Sequence, residues 1–179
     1  MNALCGFLVA GLLMKHVLRW LLAILLLPVN VTVLIPLLLF ELEPLRSGWL
    51  EKGVSLFVGV LAFGLCISSV RLFAIKGGGG TPAPWDPVAQ LIIHGPYRYV
   101  RNPMLIGVIV ILLCEALFFY SGPLLVYGCL FLLANVAYFP LSEEPALLKR
   151  YGRAYQQYLD NVPRWIPRLT PYHPPGMKA

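Results

Sequence analysis

The chain has few charged residues, and that shortage excludes an ordinary water-soluble domain. Only 12% of its 179 residues are charged, against about 25% in soluble globular domains. Long uncharged runs accompany the deficit, so the composition predicts a membrane protein. The formal net charge of +6 is more typical of basic loops beside a membrane than of nucleic-acid binding.

Cysteine and histidine are also scarce. Cys5, Cys66, Cys114 and Cys129 are isolated in apolar stretches, without the CxxC or Cys/His spacing of a zinc site or a disulfide framework. The glycine run at residues 77–80 lacks the Lys-Ser/Thr that completes a phosphate-binding loop. The sequence therefore predicts no metal site and no P-loop.

Long apolar runs predict an all-α membrane helix bundle with about four spans. Proline kinks are expected in the first span, at Pro28 and Pro36, and close helix packing in the second, at Gly59 and Gly64. Ser121 begins a break that turns the last two spans into a helical hairpin. The predicted spans are residues 20–40, 53–70, 103–120 and 124–141.

We predict one integral membrane domain over residues 1–179. It comprises an N-terminal interfacial segment (1–19), the spans with a cytoplasmic loop at 72–102 (20–141), and a cytoplasmic helix and tail on the cofactor side (142–170). With four spans, twelve of the fourteen Lys and Arg residues lie on the side of both termini and of this loop. The positive-inside rule makes that side cytoplasmic.

The C-terminal region carries an amphipathic pattern. Apolar and aromatic residues from Leu147 to Leu159 follow the i, i+3, i+4 spacing of one helix face, with basic and amide side chains on the other faces. Such a helix next to a span is expected to lie along the membrane surface. The tail from Pro171 onward is expected to be disordered.

Residues 94–107, HGPYRYVRNPMLIG, contain a helix start with positive charge beside it. Asn102 is a preferred N-cap residue and Pro103 a preferred first helical residue. The backbone N–H groups that follow make a seat for an anion such as a carboxylate, and Arg98 and Arg101 add charge. The alternative is an ordinary helix start with arginines anchored to lipid phosphates.

Three acidic residues can have either a structural or a functional role. Glu143 and Glu144 either stabilise a helix N-terminus or bind the amine or ribose hydroxyls of a cofactor. Glu115 is the one acid inside a predicted span, which makes it a functional candidate. It lies about 18 Å along the helix from Pro103, and Asn135 in the neighbouring arm is its expected structural partner.

Aromatic residues surround the basic loop. Tyr97, Tyr99 and Trp85 can hold a cation such as a sulfonium through their ring faces, or they can form the aromatic belt at the membrane interface. The loop before them, residues 77–87, holds four glycines and three prolines. These exclude a regular helix, and the loop is either fixed or a lid.

Taken in order, GPYRYVRNPMLIG, SEEPALLKRYGRAYQQY and VPRWIPR resemble the motifs of integral-membrane methyltransferases related to isoprenylcysteine carboxyl methyltransferase and phospholipid N-methyltransferases. The resemblance runs over about residues 53–168. It implies S-adenosylmethionine as methyl donor, bound on the cytoplasmic side. It also implies a lipophilic or membrane-associated acceptor, such as an isoprenylcysteine carboxylate or a phospholipid amine.

The motifs and the resemblance together predict a cofactor site, without identifying a catalytic residue. Candidates for substrate binding are Glu115, Phe139 and Arg164. The predicted cofactor-binding residues are Gln90, Leu91, Ile92, His94, Gly95, Tyr97, Arg101, Asn102, Pro103, Met104, Leu105, Glu143 and Glu144.

The chain departs from the family pattern at three positions. Asn102 replaces a common His, as in phospholipid-methylating relatives, and Leu105 replaces a usual Tyr. Phe139 occupies the position of an arginine implicated in substrate binding by prenylcysteine enzymes, which disfavours a prenylcysteine carboxylate. Two other functions stay open: a membrane reductase using a nicotinamide cofactor, as the sterol reductases have a similar C-terminal region, and a non-enzymatic lipid-binding or interaction protein.

Overall fold

The computed structural model describes residues 14–15, 17–42, 47–83 and 85–174. Most of the N-terminal interfacial segment predicted at 1–19 lies outside these residues. Every regular element within the described part is helical, which confirms the all-α prediction. The helices are α1 (Val17–Ile24), α2 (Ile35–Leu39), α3 (Trp49–Lys76), α4 (Pro103–Phe118), α5 (Gly122–Tyr138), α6 (Glu144–Tyr151) and α7 (Arg153–Asn161).

The first predicted span is bent. A wide-turn π-helical segment, Leu25–Leu34, joins α1 to α2, and the axes before and after the break differ by 41°. Pro28 lies inside this segment, and because proline has no N–H it cannot continue a regular helical ladder. Pro36 stands in the first turn of α2, where proline is tolerated.

The number of spans stays a prediction. α3 and a continuous helical path from Gly122 to Tyr151 are long and apolar enough to cross a membrane, and the bent first pair adds a third if it counts as one span. α4 has only 16 residues. α3, with 28 residues, is about 42 Å long, which exceeds a hydrocarbon core of about 30 Å.

α3 and α4 pack along each other at Gly107. A Cβ atom built on Gly107 would lie 2.9 Å from the carbonyl oxygen of Ala62 and would collide with the sulfur of Cys66. A side chain here would therefore push the two backbones apart. Of the two predicted packing points, Gly59 faces α4, where a Cβ would meet Cys114 Cβ at an ordinary contact distance of 3.8 Å, and Gly64 was wrong, because it has no neighbour within 4 Å.

α4 and α5 form the predicted hairpin. The chain turns at Tyr120, which has a φ of 50°, and the Ser121 side chain accepts a hydrogen bond from the N–H of Leu124 to cap α5. After Tyr138 the helix widens over Phe139–Glu143, where Pro140 interrupts the regular ladder, and then continues as α6.

The single amphipathic helix predicted after residue 142 is two helices. Gly152 separates α6 from α7 with a φ of +56°, a conformation that favours glycine. The buried rings of Tyr155 and Tyr158 pack on Ile93 and Val162 of the same chain. This part of the apolar face is thus covered by protein rather than left for a lipid surface.

The segment after α7 returns along residues 98–101. The N–H of Arg101 donates to Pro163 O, that of Arg168 to Tyr99 O, and that of Tyr172 to Arg98 O, at 2.9–3.0 Å. The prediction of disorder from Pro171 is wrong for residues 171–174, because these contacts hold the segment in place. Residues 175–179 lie outside the described part.

Candidate functional site

A cavity of about 210 Å³ opens where the ends of α3 and α4 meet α6, α7 and the 77–102 segment. Its polar and tyrosine lining is Thr81, Gln90, Tyr97, Arg101, Asn102, Glu143, Arg150, Tyr151, Tyr155 and Tyr158. Its apolar lining is Phe73, Pro82, Ala83, Pro87, Val88, Leu91, Ile92, Met104, Leu105, Phe139, Ala146 and Leu147.

The start of α4 lies in this wall. Pro103 begins the helix as predicted, but the Asn102 side chain makes no capping hydrogen bond. The helical ladder begins with the N–H of Ile106, which donates to Asn102 O at 3.0 Å. The N–H groups of Met104 and Leu105 therefore precede the first rung, and the positive end of the helix faces the site.

Two buried donors beside this helix start have no partner. Within the described part of the chain, neither Arg101 Nε nor Asn102 Nδ2 makes a hydrogen bond, although both atoms are shielded from water. Leaving a buried polar group unpaired costs about 1–3 kcal/mol. Because both residues line the cavity, an acceptor group on a ligand would remove that cost.

Arg101 is held by Glu144, and Glu144 is held by Arg164. Arg101 Nη1 donates to Glu144 Oε1 at 2.7 Å. Arg164 donates to the same carboxylate through Nε (2.9 Å) and Nη2 (2.7 Å). The three side chains are 10%, 13% and 21% exposed, in the order Arg101, Glu144, Arg164. Both oxygens of Glu144 are thus occupied by arginines.

Glu143 differs from its neighbour. It lines the cavity, whereas Glu144 does not, and its carboxylate makes no hydrogen bond to another residue in the part of the chain that the structure describes. Arg150, seven residues and about two helical turns further on, lines the same cavity. Glu143 therefore remains available to a cationic or hydroxyl group of a ligand.

The 77–87 loop forms another wall. Gly78, Gly79 and Gly80 all have positive φ, and a Cβ on Gly80 would meet the backbone of Pro87 at 2.7 Å. The loop closes through the N–H of Thr81, which donates to Asp86 O at 2.7 Å. The Asp86 carboxylate pairs with Arg19 of α1, so the first helix is tied to this wall.

Tyrosines fix the segment between this loop and α4. Tyr151 donates its hydroxyl to Val88 O at 2.6 Å, and Tyr158 donates to Tyr97 O at 2.7 Å. Burial raises the pKa of Tyr155 to about 12 and also raises the pKa values of Tyr97 and Tyr158. These hydroxyls therefore stay protonated at physiological pH, and that of Tyr158 donates to Tyr97 O.

The structure brings most of the predicted cofactor-binding residues together. Those lining the cavity are Gln90, Leu91, Ile92, Tyr97, Arg101, Asn102, Met104, Leu105 and Glu143, with the substrate candidate Phe139. Those outside its lining are His94, Gly95, Pro103 and Glu144, with the substrate candidates Glu115 and Arg164. Gly95 forms a turn with φ +53°, and Pro103 is buried in the helix start.

Glu115 lies well along α4 and does not reach the cavity. Its Oε2 atom is buried without a partner among the described residues. The expected partner was wrong: Asn135 Nδ2 donates instead to Phe131 O, one turn back on its own helix, at 2.8 Å.

Several lining residues escaped the sequence reasoning. Arg150, Tyr151, Tyr155 and Tyr158 belong to the amphipathic stretch, whose periodicity identified an apolar face but not its partner. Phe73, near the end of α3, packs edge-on against Tyr97 with ring centres 5.7 Å apart. Nothing in the local sequence marks it, since it continues an apolar span.

Comparisons with known proteins identify the family of the chain. A family model described as phospholipid methyltransferase matches residues 53–154, more than half of the chain. Methanethiol S-methyltransferase 2 of Bradyrhizobium diazoefficiens is 36% identical over 77 residues, which are 41% of this chain and 27% of that relative. The chain thus spans just over a quarter of the relative's length. No solved structure matches at a significant level. The family match confirms the resemblance inferred from the motifs.

Proposed function

The chain belongs to the phospholipid methyltransferase family, and we propose that it uses S-adenosylmethionine to methylate a lipophilic or membrane-associated acceptor. We place the cofactor in the cavity at the start of α4, on the cytoplasmic side of the membrane. The observation that carries this proposal is the pair of buried, unpartnered donors, Arg101 Nε and Asn102 Nδ2, in the cavity wall.

The donor set fits the amino acid part of the cofactor. A carboxylate accepts hydrogen bonds from Arg101 Nε, Asn102 Nδ2 and the leading N–H groups of α4, which together supply the positive field that an anion needs. Glu143 is the cavity carboxylate without a protein hydrogen bond among the described residues, and it suits the cofactor's amine or ribose hydroxyls.

The remaining walls suit the nucleoside part. Val88, Leu91 and Ile92 offer apolar surface for a base, and Gln90 supplies an amide among them. The cavity of about 210 Å³ is smaller than the roughly 300–1,000 Å³ of typical ligand pockets. We therefore expect the wall formed by Thr81, Pro82, Ala83 and Pro87 to move outward when the cofactor binds.

When bound, the cofactor would supply a methyl group on a sulfonium sulfur: the acceptor's nucleophilic atom bonds to the methyl carbon while the carbon–sulfur bond opposite it breaks, and S-adenosylhomocysteine is the leaving group. The residues of this chain would align the acceptor with the carbon–sulfur bond of the cofactor and exclude water. Orientation of the reactants and exclusion of water supply much of the rate gain in such transfers. The buried tyrosines stay protonated and hold the walls rather than accept a proton.

The acceptor would meet apolar surface. Phe73, Met104, Leu105 and Phe139 line the cavity where it meets the spans, and none of them carries a charge that would bind an acceptor carboxylate or phosphate. A lipophilic acceptor can reach this surface sideways from the bilayer. A small apolar thiol is a second candidate, because the relative is a methanethiol S-methyltransferase.

The test is methyl transfer by protein reconstituted in vesicles with methyl-labelled cofactor. We expect label in an extractable product when phospholipid amines, prenylcysteines, simple amines and small thiols are offered in turn. Asn102→Leu should lower transfer roughly tenfold by removing a donor to the charged ligand. Asn161→Leu, on the exposed end of α7, should not. No transfer to any acceptor class would reject the proposal.

A further inference from the structure

The contacts around Glu144 divide the acidic pair into two roles. Glu143 lines the cavity, whereas both carboxylate oxygens of Glu144 accept hydrogen bonds from Arg101 and Arg164. We propose that Glu144 and Arg164 are positioning residues that aim the Arg101 guanidinium at the carboxylate end of the cofactor. This inference rests on the cofactor site proposed above.

The charges in this cluster do not cancel. Two guanidinium groups share one carboxylate, which leaves one positive charge among three largely buried side chains. Arg101 still has an unpartnered Nε that is shielded from water. A buried charge of this kind is stabilised by an anion that completes its hydrogen bonds. The ligand carboxylate would be that anion.

Arg164 is itself held in place by the backbone. The N–H of Arg101 donates to Pro163 O, directly before Arg164, at 3.0 Å. Further along, the N–H groups of Arg168 and Tyr172 donate to Tyr99 and Arg98. Arg164 therefore stands at a fixed distance from Arg101 before any ligand arrives, and a preorganised pair loses little entropy on binding.

Arg164 also lies outside the residues that the family model matches. The family model ends at residue 154, ten residues before it. The C-terminal segment thus contributes to the cofactor site through a contact to Glu144 rather than by lining the cavity. The effect expected is on one end of the ligand only, because the cluster supplies charge and hydrogen bonds, whereas Leu91 and Ile92 supply apolar surface.

Two ligands separate positioning from general structural support. S-adenosylhomocysteine carries the amino acid part, and 5′-methylthioadenosine has the same nucleoside and thioether without it. Arg164→Met keeps most of the side-chain length but removes both hydrogen bonds to Glu144. We expect it to raise the Kd of S-adenosylhomocysteine roughly tenfold, as loss of an orienting partner typically does. The Kd of 5′-methylthioadenosine should stay within about twofold.

Controls keep the result interpretable. Arg168→Met removes a half-buried arginine of the same segment, whose guanidinium donates to Asn161 O rather than to Glu144, and should change neither Kd. Arg164→Met should add less than about twofold in a Glu144→Gln background, because both changes break one linkage. If Arg164→Met does not fold, Arg164→Lys should give a smaller rise, again confined to S-adenosylhomocysteine.

The outcomes are distinct. Binding of neither ligand by the wild-type protein would reject the cofactor site itself. Wild-type binding of both ligands, followed by an equal loss of both in the Arg164 variants, would reject the positioning role and leave the cofactor site standing. A loss limited to the ligand with the carboxylate supports the inference.

Discussion

The seam between α3 and α4 and the segment at residues 88–101 adjoin in the fold but are held by different contacts. At the seam, Gly107 lets the helix backbones approach until its Cα faces the Ala62 carbonyl. The segment has irregular backbone, and side chains from α6 and α7 satisfy it: Tyr151 bonds Val88 O and Tyr158 bonds Tyr97 O.

The difference follows from the surroundings. Between helices in a bilayer there is little hydrophobic gain, because lipid tails are as apolar as leucine, so close fit decides the packing. In a loop that is buried by other parts of the chain, unpaired carbonyls and N–H groups are costly, so hydrogen bonds decide it. A change of side-chain size should therefore damage the seam, and loss of a hydroxyl should damage the segment.

The largest effect is expected for Gly107→Leu. The new side chain cannot fit against Ala62 and Cys66 without moving α3 away from α4. We expect the free energy of unfolding in detergent to fall by about 3 kcal/mol or more. Gly64→Leu is the matched control, since Gly64 has no neighbour within 4 Å. Because leucine has a higher helix propensity than glycine, the free energy of unfolding of Gly64→Leu should stay unchanged or rise by up to about 1 kcal/mol. Equal losses in the two variants would show that Gly107 is not the contact point.

A smaller effect is expected for Tyr158→Phe. The ring and its packing remain, but the carbonyl of Tyr97 loses its hydroxyl donor in a buried site. We expect a loss of about 1–2 kcal/mol in the free energy of unfolding. Tyr99→Phe is the control, because the Tyr99 hydroxyl makes no hydrogen bond within the described part of the chain. An unchanged Tyr158→Phe protein would mean that the segment does not depend on this bond.

The start of α4 and the break before α5 were predictable because local chemistry sets them. Pro103 starts α4 and Ser121 caps α5 whatever else surrounds them. The seam was not predictable. Gly59, Gly64 and Gly107 look alike in the sequence, and only the rotation of each helix against its neighbour decides which glycine meets another backbone.

The candidate site also has parts that the sequence predicts and parts that it does not. The motif at 94–107 could be predicted to form a site because a basic helix start has a direct electrostatic meaning, and Tyr97, Arg101, Asn102, Met104 and Leu105 do line one cavity. The separate roles of Glu143 and Glu144 could not, since neighbouring residues on a helix point about 100° apart and the partner of Glu144 lies twenty residues further on. The spacing of Tyr155 and Tyr158 predicted an apolar helix face, but only the structure shows that Ile93 and Val162 pack against it.

One titration tests most directly whether the cavity binds S-adenosylmethionine. Purified wild-type protein in detergent is titrated calorimetrically with S-adenosylhomocysteine and, separately, with reduced nicotinamide dinucleotide. We expect saturable binding of one S-adenosylhomocysteine per chain and no binding of the nicotinamide. Glu143→Gln should raise the Kd about tenfold through loss of a charged contact, while Asp160→Asn, on the exposed face of α7, leaves it unchanged. Binding of the nicotinamide alone, or of neither ligand, would contradict the proposed function.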